Sequence, residues 1–280
     1  MTVAVLGTGT MGAPMAVNMA AAGLDVRAWN RTAERAQGLD GVEARDSIAA
    51  AVNGAELVVT ILSDGTAVEE VAREALPAFG DGAVWLQMST VGIVACERLA
   101  ALADEHSVAF VDAPVVGTKQ PAEQGKLTVL ASGPKDARER AKPVFDAVSA
   151  RVVELGDAGE GSALKVVVNS WLATLVAGLA ETIALAEAGG VDPKLFLETI
   201  EGGPTGPQYA QLKGGAMIAG DYPTAFALSL TRKDVGLVLE AAERHGFDAP
   251  LARAIAELFD RAIEAGHGDA DMAAVIEAYR

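Results

Sequence analysis

Apolar positions in the first half of the chain come in short unbroken runs. Val3-Ala4-Val5-Leu6, Leu24 to Trp29, Leu57 to Leu62, Ala83 to Met88 and Val108 to Val111 read as strands. Between them Ala13 to Ala22, Ala33 to Gly38, Ala67 to Ala75 and Ile93 to Glu105 read as helices. Val/Ile/Leu runs without alternation suit parallel strands covered on both faces. Strands alternating with helices point to βαβ units. Leu127 to Ala131 and Arg151 to Glu154 are expected to finish the same sheet.

After about residue 158 the pattern changes, and no further strand reads clearly. Glu160 to Ala188 is one long helical stretch. Pro193 to Ile200, Lys213 to Ile218, Ser229 to His245, Leu251 to Ala265 and Ala270 to Tyr279 read as further helices. Gly202-Gly203-Pro204-Thr205-Gly206-Pro207 is a loop by composition. The expected division lies near Asp157, with an α/β half over 1–158 and an all-α half over 159–280 that begins with a long interdomain helix.

Composition narrows the class. The 280 residues are 51% hydrophobic and 21% charged, which suits a large core and not disorder. Net charge is 22 − 38 = −16, against the basic face that DNA or RNA binding needs. Cys96 stands alone, so neither an intramolecular disulfide nor a cysteine zinc cluster is expected, and a reducing cytosol fits. The first basic residue is Arg27, so the charged start of a secretory signal is missing, and a cytoplasmic protein is expected. Val166 to Ala188 is the most membrane-like window. It contains Asn169, Glu181 and Glu187, and reads as a helix buried in protein, not a membrane span.

Gly7-Thr8-Gly9-Thr10-Met11-Gly12 is a G-x-G-x-x-G after a strand and before a helix, the context that a dinucleotide fingerprint requires. The first glycine makes the tight turn, the second admits a pyrophosphate, and the third lets helix and strand pack closely. The helix N-terminus adds free N–H groups and partial positive charge. The α/β half is therefore read as a Rossmann-type, doubly wound parallel sheet. About 20 residues on, NAD enzymes carry an acidic residue for the ribose 2′-OH. Here Asn30-Arg31-Thr32 stands instead: Asn30 does not repel a 2′-phosphate, Arg31 can pair with it and Thr32 can donate to it. NADP(H) is preferred, with NAD(H) left open; the alternative for Arg31 is a solvated surface arginine.

Lys165 and Asn169 are four apart at the start of the long apolar helix, so they share a face. A buried lysine is costly, and burial lowers its pKa into a range useful for acid catalysis. Residue types alone leave a second reading open, a lysine at a helix start that snorkels to water.

With these motifs in place, the chain resembles the β-hydroxyacid dehydrogenase family over about residues 2 to 280. That family includes 3-hydroxyisobutyrate dehydrogenases and glyoxylate/succinic semialdehyde reductases. Gly7 to Gly12 looks like its cofactor signature, and Asp112-Ala113-Pro114-Val115-Val116-Gly117-Thr118 resembles its substrate segment D-A-P-V-S-G-G/S. Gly161 with Lys165 and Asn169 matches G-x-x-x-K-x-x-x-N. Phe226-Ala227-Leu228 through Lys233-Asp234 is similar to F-x-L-x-x-x-x-K-D. The tail from Gly268-Asp269-Ala270-Asp271 through Ala274-Val275-Ile276 also fits the family. Gly117 to Gly125, with Lys119, Pro121, Ala122 and Glu123, is nearest the reductase branch.

The resemblance implies hydride transfer between NADPH and the carbonyl carbon of a small hydroxy acid's oxidised partner. Lys165 would give the proton to the carbonyl oxygen and take it back in reverse, while Asn169 would hold that oxygen or orient the lysine. Thr90 matches a position beside nicotinamide and substrate; Leu62 and Ser63 match the loop lining the cofactor. Lys233 would approach the cofactor or close the cleft, with Asp234 beside it, and Phe226 would wall the substrate pocket. Without the resemblance, Lys233 and Asp234 read as an ordinary polar pair at a helix start.

One position departs from the family. Its usual serine, a ligand of the substrate carboxylate, is Val116 here. The N–H groups of Gly117 and Thr118 can still bind an anion, and Thr118 or Lys119 can assist. Losing one donor to a charged group costs ~1.5–3 kcal/mol, so a less polar carbonyl becomes a competing substrate. Imine reductases share the architecture but carry other residues at the lysine position, and a cofactor-binding protein without turnover is a third reading. His106, His245 and His267 lack metal spacing and are expected at surface or capping positions. Met11, Met15 and Met19 are expected to pack the first helix, and Trp29, Trp85 and Trp171 to lie in the core. The length of the apolar helix suggests a homodimer or homotetramer, with the active site between the two domains.

Overall fold

The structure, a computed structural model, describes all 280 residues. It divides into two compact units, Met1–Lys165 and Val166–Arg280.

The first unit is built on six parallel strands: β1 Thr2–Leu6, β2 Asp25–Trp29, β3 Val42–Ala44, β4 Leu57–Thr60, β5 Val84–Gln87 and β6 Ala109–Asp112. Their order is β3-β2-β1-β4-β5-β6. The connections turn outward on either side of β1, which makes the β1/β4 edge the switch point where such sheets bind ligands. Connecting helices are α1 Gly12–Ala21, α2 Ile48–Val52, α3 Gly65–Ala75 and α4 Ile93–Glu105.

The unbroken apolar runs are explained by cover on both faces. Val3, Val5, Leu57, Val59, Val84 and Leu86 join Met15 and Met19 of α1 in one core. The alternate residues Ala4, Leu6 and Val58 join Ile48 and Val52 of α2 in another. Trp85 and Phe110 meet edge to face at 4.9 Å in a third, against α4.

The expectation that Leu127 to Ala131 and Arg151 to Glu154 complete the large sheet is corrected. With β7 Val115–Val116, the strands β8 Leu127–Ala131 and β9 Ser149–Glu154 form a separate three-stranded sheet, interleaved with α5 Lys119–Glu123 and α6 Lys135–Val148. Only an isolated bridge, Asp112 to Ser132, ties it to the end of β6. The reason is local: Ala113-Pro114 ends β6, and β7 then pairs antiparallel to β8.

The second unit contains most of α7 Glu160–Ala188, then α8 Pro193–Ile200, α9 Gln208–Ala219, α10 Leu228–Arg244 and α11 Pro250–Ala262. A π-turn Ile263–His267 and a 3-10 helix Met272–Ala278 follow. In the first unit the expected helix at Ala33 to Gly38 is only a 3-10 turn, Ala33–Arg35. Ala173, Val176, Ala180 and Ile183 of α7 pack with Met217, Phe259 and Ile276 in the helical core. By length and composition α7 could cross a membrane, yet 44% of its apolar window is buried in protein. Its other face is open: Val167 and Trp171 are each 64% exposed and Leu185 71%. Trp171 therefore does not belong to the core; Trp85 does, and Trp29 is half-buried. His106 and His245 follow the ends of α4 and α10 as C-caps.

Candidate functional site

At the end of β1 the chain turns under tight steric control. Gly7 has φ +112°, and a Cβ there would lie 2.3 Å from the Ile61 carbonyl oxygen. A Cβ on Gly12 would lie 2.0 Å from the Gly7 oxygen, so α1 can approach the strand only with glycine here. At Gly9 a Cβ would meet nothing within 4 Å. The open middle glycine leaves backbone bare for a ligand's phosphates. Met11, at the N-cap of α1, makes no side-chain cap, and no acidic residue stands in the first turn. The helix end is thus free to receive negative charge. Thr10 at this turn is exposed.

Thr8 and Asn30 join the glycine turn to the end of β2. The Thr8 N–H donates to Asn30 Oδ1 at 3.1 Å, and Asn30 Nδ2 donates to the Thr32 carbonyl at 2.9 Å. Asn30 is thereby a brace between the two loops. The Thr8 hydroxyl is buried without a partner, an orphan donor beside the open glycine. Arg31, Thr32 and Arg35 project into solvent beyond β2. Arg35 was not singled out in the sequence; its signal is a second arginine four residues after Arg31.

Across the switch point, Leu62 donates its N–H to Ser89 Oγ at 2.9 Å, and Ser89 Oγ donates to the Thr60 carbonyl at 3.2 Å. Gln87 brackets Ser89, accepting from its N–H at 2.7 Å and donating to its carbonyl at 2.9 Å. Gln87 and Ser89 escaped the motif reading, yet both are fully buried and set the loops carrying Leu62 and the half-buried Thr90. Ser63 turns its hydroxyl to Asp64, which caps α3. The orphan Thr8 hydroxyl, the bare Gly9 and the uncapped α1 fit the pyrophosphate half of a nicotinamide dinucleotide.

Val116 is half-buried in β7 opposite Thr128. Gly117 follows at φ +137°, where a Cβ would press to 2.7 Å from Leu127 Cδ2, and Thr118 begins α5. Asp112, at the head of this segment, is completely buried, and burial pushes its carboxyl above the usual range.

Lys165 and Asn169 lie on one face of α7, 7% and 4% exposed. Asn169 Nδ2 donates to Asp234 Oδ2 at 2.6 Å. Lys233 Nζ stands 2.9 Å from Asp234 Oδ1 as an ion pair, outside hydrogen-bond alignment. Asn169 Oδ1 is buried with no partner. Nearby in sequence, Phe226 is half-buried and its N–H donates to Asp271 Oδ2 at 3.1 Å. Asp271 is itself paired with Lys213 at 2.6 Å, both nearly fully buried. Lys213 was not foreseen; a lysine inside an apolar helix is a faint signal until its acid is known.

Residues 2–156 match the family described as the NAD binding domain of 6-phosphogluconate dehydrogenase. Residues 159–279 match the one described as NAD-binding of NADP-dependent 3-hydroxyisobutyrate dehydrogenase. Glyoxylate/succinic semialdehyde reductase 2, chloroplastic, of Arabidopsis thaliana is 35% identical over 280 residues, spanning 98% of this chain and 78% of its own. The probable 3-hydroxyisobutyrate dehydrogenase of Mycobacterium tuberculosis is 32% identical over 290 residues, covering 100% and 98%. The solved structure of a Mycobacterium tuberculosis 3-hydroxyisobutyrate dehydrogenase with L-serine superimposes with TM-score 0.89 at 31% identity, covering 100% of this chain and 99% of that one.

Proposed function

Because the chain belongs to the β-hydroxyacid dehydrogenase family, we propose that it interconverts a small hydroxy acid and its semialdehyde or oxo acid, using NADP(H) in preference to NAD(H). The observation that carries this reading is the buried pair on α7: Lys165, and Asn169 with one N–H committed to Asp234 and its Oδ1 unpartnered.

The nicotinamide cofactor supplies a hydride in one direction and accepts it in the other. The remaining duties fall to the chain. Gly9, the Thr8 hydroxyl and the α1 N-terminus hold the pyrophosphate. Arg31 and Thr32 meet the 2′-phosphate, and neutral Asn30 does not repel it. Lys165 Nζ donates a proton to the carbonyl oxygen as that oxygen becomes an alkoxide, and is reprotonated from solvent. Asn169 Oδ1 can accept only from a donor, so it orients the Lys165 ammonium or holds the product hydroxyl. The N–H groups of Gly117 and Thr118 receive the substrate carboxylate. By the family resemblance Phe226 is assigned to the substrate, and Lys233, paired with Asp234, to the cofactor.

Val116 favours a second reading, a less polar carbonyl or an imine, because valine brings no donor to a carboxylate. The exposed apolar stripe Val167, Trp171 and Leu185 supports a homodimer or homotetramer, which light scattering would register as two or four chain masses.

The test follows NADPH and NADH oxidation with glyoxylate, succinic semialdehyde, methylmalonate semialdehyde, an uncharged aldehyde and a cyclic imine, with Lys165→Ala alongside. NADPH turnover on a carbonyl acid, lost by ~10²-fold or more in Lys165→Ala with NADPH binding kept, is the expected result. Turnover confined to the uncharged aldehyde or imine would transfer the assignment to the second reading. Acid turnover that survives Lys165→Ala would remove the lysine's role.

A further inference from the structure

The first turn of α7 rests on the junction of the two sheets. Asp112, which ends β6 and heads the Val116 segment, accepts the Ser162 main-chain N–H on Oδ2 at 2.7 Å and the Ser162 hydroxyl on Oδ1 at 2.8 Å. The preceding residue, Gly161, donates its N–H to Ser132 Oγ at 3.0 Å. Ser132 Oγ in turn donates to the Asp112 carbonyl at 3.1 Å and lies 3.3 Å from its Oδ2. Cys96 on α4 is also buried, and the negative charge of Asp112 adds to the burial that pushes its thiol up. Asp112 and Ser132 are fully buried and Ser162 is 2% exposed. A Cβ on Gly161 would lie 2.5 Å from the Leu130 oxygen and 2.9 Å from the Asp112 oxygen, so only glycine lets the helix seat this deeply.

Two N–H groups that a helix start leaves unpaired are thus taken by the side chains of Asp112, which ends β6, and Ser132, which follows β8. At 3.6 residues per turn, Ser162, Lys165 and Asn169 fall on one face, so the clasped face is also the face that carries the lysine. The same aspartate begins the segment that leads to Val116, Gly117 and Thr118.

Resting on the reading of Lys165 as proton donor, we infer that Asp112 is a positioning residue: through Ser162 it fixes the depth and rotation of the first turn of α7, and so places Lys165 relative to the Val116–Thr118 loop. It contributes no proton and touches no substrate. A capping carboxylate of merely structural value would raise stability and leave the chemistry of the folded enzyme alone.

The test compares Asp112→Asn, Ser162→Ala and Ser162→Thr in the full chain. The carbonyl is the one turned over fastest in the panel above, with NADPH and with NADPH deuterated at the transferred position. Asp112→Asn is expected to lower kcat about 100-fold with NADPH Kd unchanged, the scale of a misplaced catalytic group. Ser162→Ala is expected to lower kcat about tenfold, and Ser162→Thr, which keeps a hydroxyl, to restore most of it. In both impaired variants the deuterium isotope effect on kcat rises, because the hydride and proton steps become limiting. If Asp112→Asn does not fold, the two Ser162 variants decide. A lower melting temperature with kcat per NADPH-binding site and isotope effect as in the parent chain overturns the inference. Lys165→Ala run in parallel separates the two failures: if it retains turnover the proton-donor reading is wrong and this inference goes with it, whereas lost turnover beside unaffected Ser162 variants rejects only the positioning role.

Discussion

Asn169 gives an N–H to Asp234 at 2.6 Å, and the bond leaves its own carbonyl oxygen as a buried acceptor with nothing to accept from. An acidic neighbour that can only accept dictates which end of the amide points where. With an apolar residue at 234 that orientation would be lost.

Asp234→Ala should therefore damage catalysis without touching the fingerprint glycines. Removing one charge-assisted hydrogen bond predicts a fall in kcat/KM of about 10- to 150-fold. Steady-state kinetics with either carbonyl substrate or hydroxy acid would measure it. A variant as active as the parent chain would mean that Asn169 is held by other means.

Val116→Ser restores a hydroxyl donor where the family has one. Turnover of carboxylate-bearing aldehydes should improve by about 10- to 150-fold in kcat/KM, with little change for an uncharged aldehyde of similar size. Equal change for both would place residue 116 away from the substrate carboxylate.

Arg31→Ala should weaken NADPH about tenfold and leave NADH nearly unaffected, since only NADPH offers a phosphate for the guanidinium. The ratio of the two dissociation constants, measured by fluorescence titration, is the readout. An equal loss for both cofactors would show that Arg31 meets a part they share.

All three tyrosines of the chain hold their protons more tightly than a free phenol. Burial is the first cause in each, and Glu277 beside Tyr222 and Glu181 beside Tyr279 add to it. Tyr279 is pushed up from 10.0 to about 12. A folded-state value raised above the unfolded one gives stability that is complete below the unfolded value and is lost as pH climbs through the folded one. Ultraviolet titration should show almost no tyrosinate at pH 10, then a rise coupled to alkaline unfolding. An ordinary titration centred on pH 10 in folded protein would contradict it.

The sequence showed the central strands and the helical second half plainly, because buried parallel strands and long helices leave unbroken apolar runs. It hid β3, whose Val-Glu-Ala is a three-residue edge strand with one half-buried position. It also hid α6, whose buried stripe is partly alanine and whose interior holds Pro143. The second sheet is not legible because the two-residue strand β7 is too short to show a period, and its pairing with β8 is what diverts the chain. Among the candidate site residues, the glycines, Lys165 and Asn169 are legible by type and spacing. Ser89, Gln87, Lys213 and the Asp112 clasp are not, since each acts through a partner far away in sequence.

Cys96 is the chain's only thiol, buried beside the carboxylate that seats α7, and burial drives its proton affinity far up. A thiol-directed reagent will therefore find almost no reactive sulfur in the native protein. The rate at which it does react counts the openings that expose Cys96, including release of the α7 start from its sheet junction. The wild-type chain thus carries a built-in probe of its own local unfolding. A cysteine engineered elsewhere on the surface could be labelled selectively over this silent background.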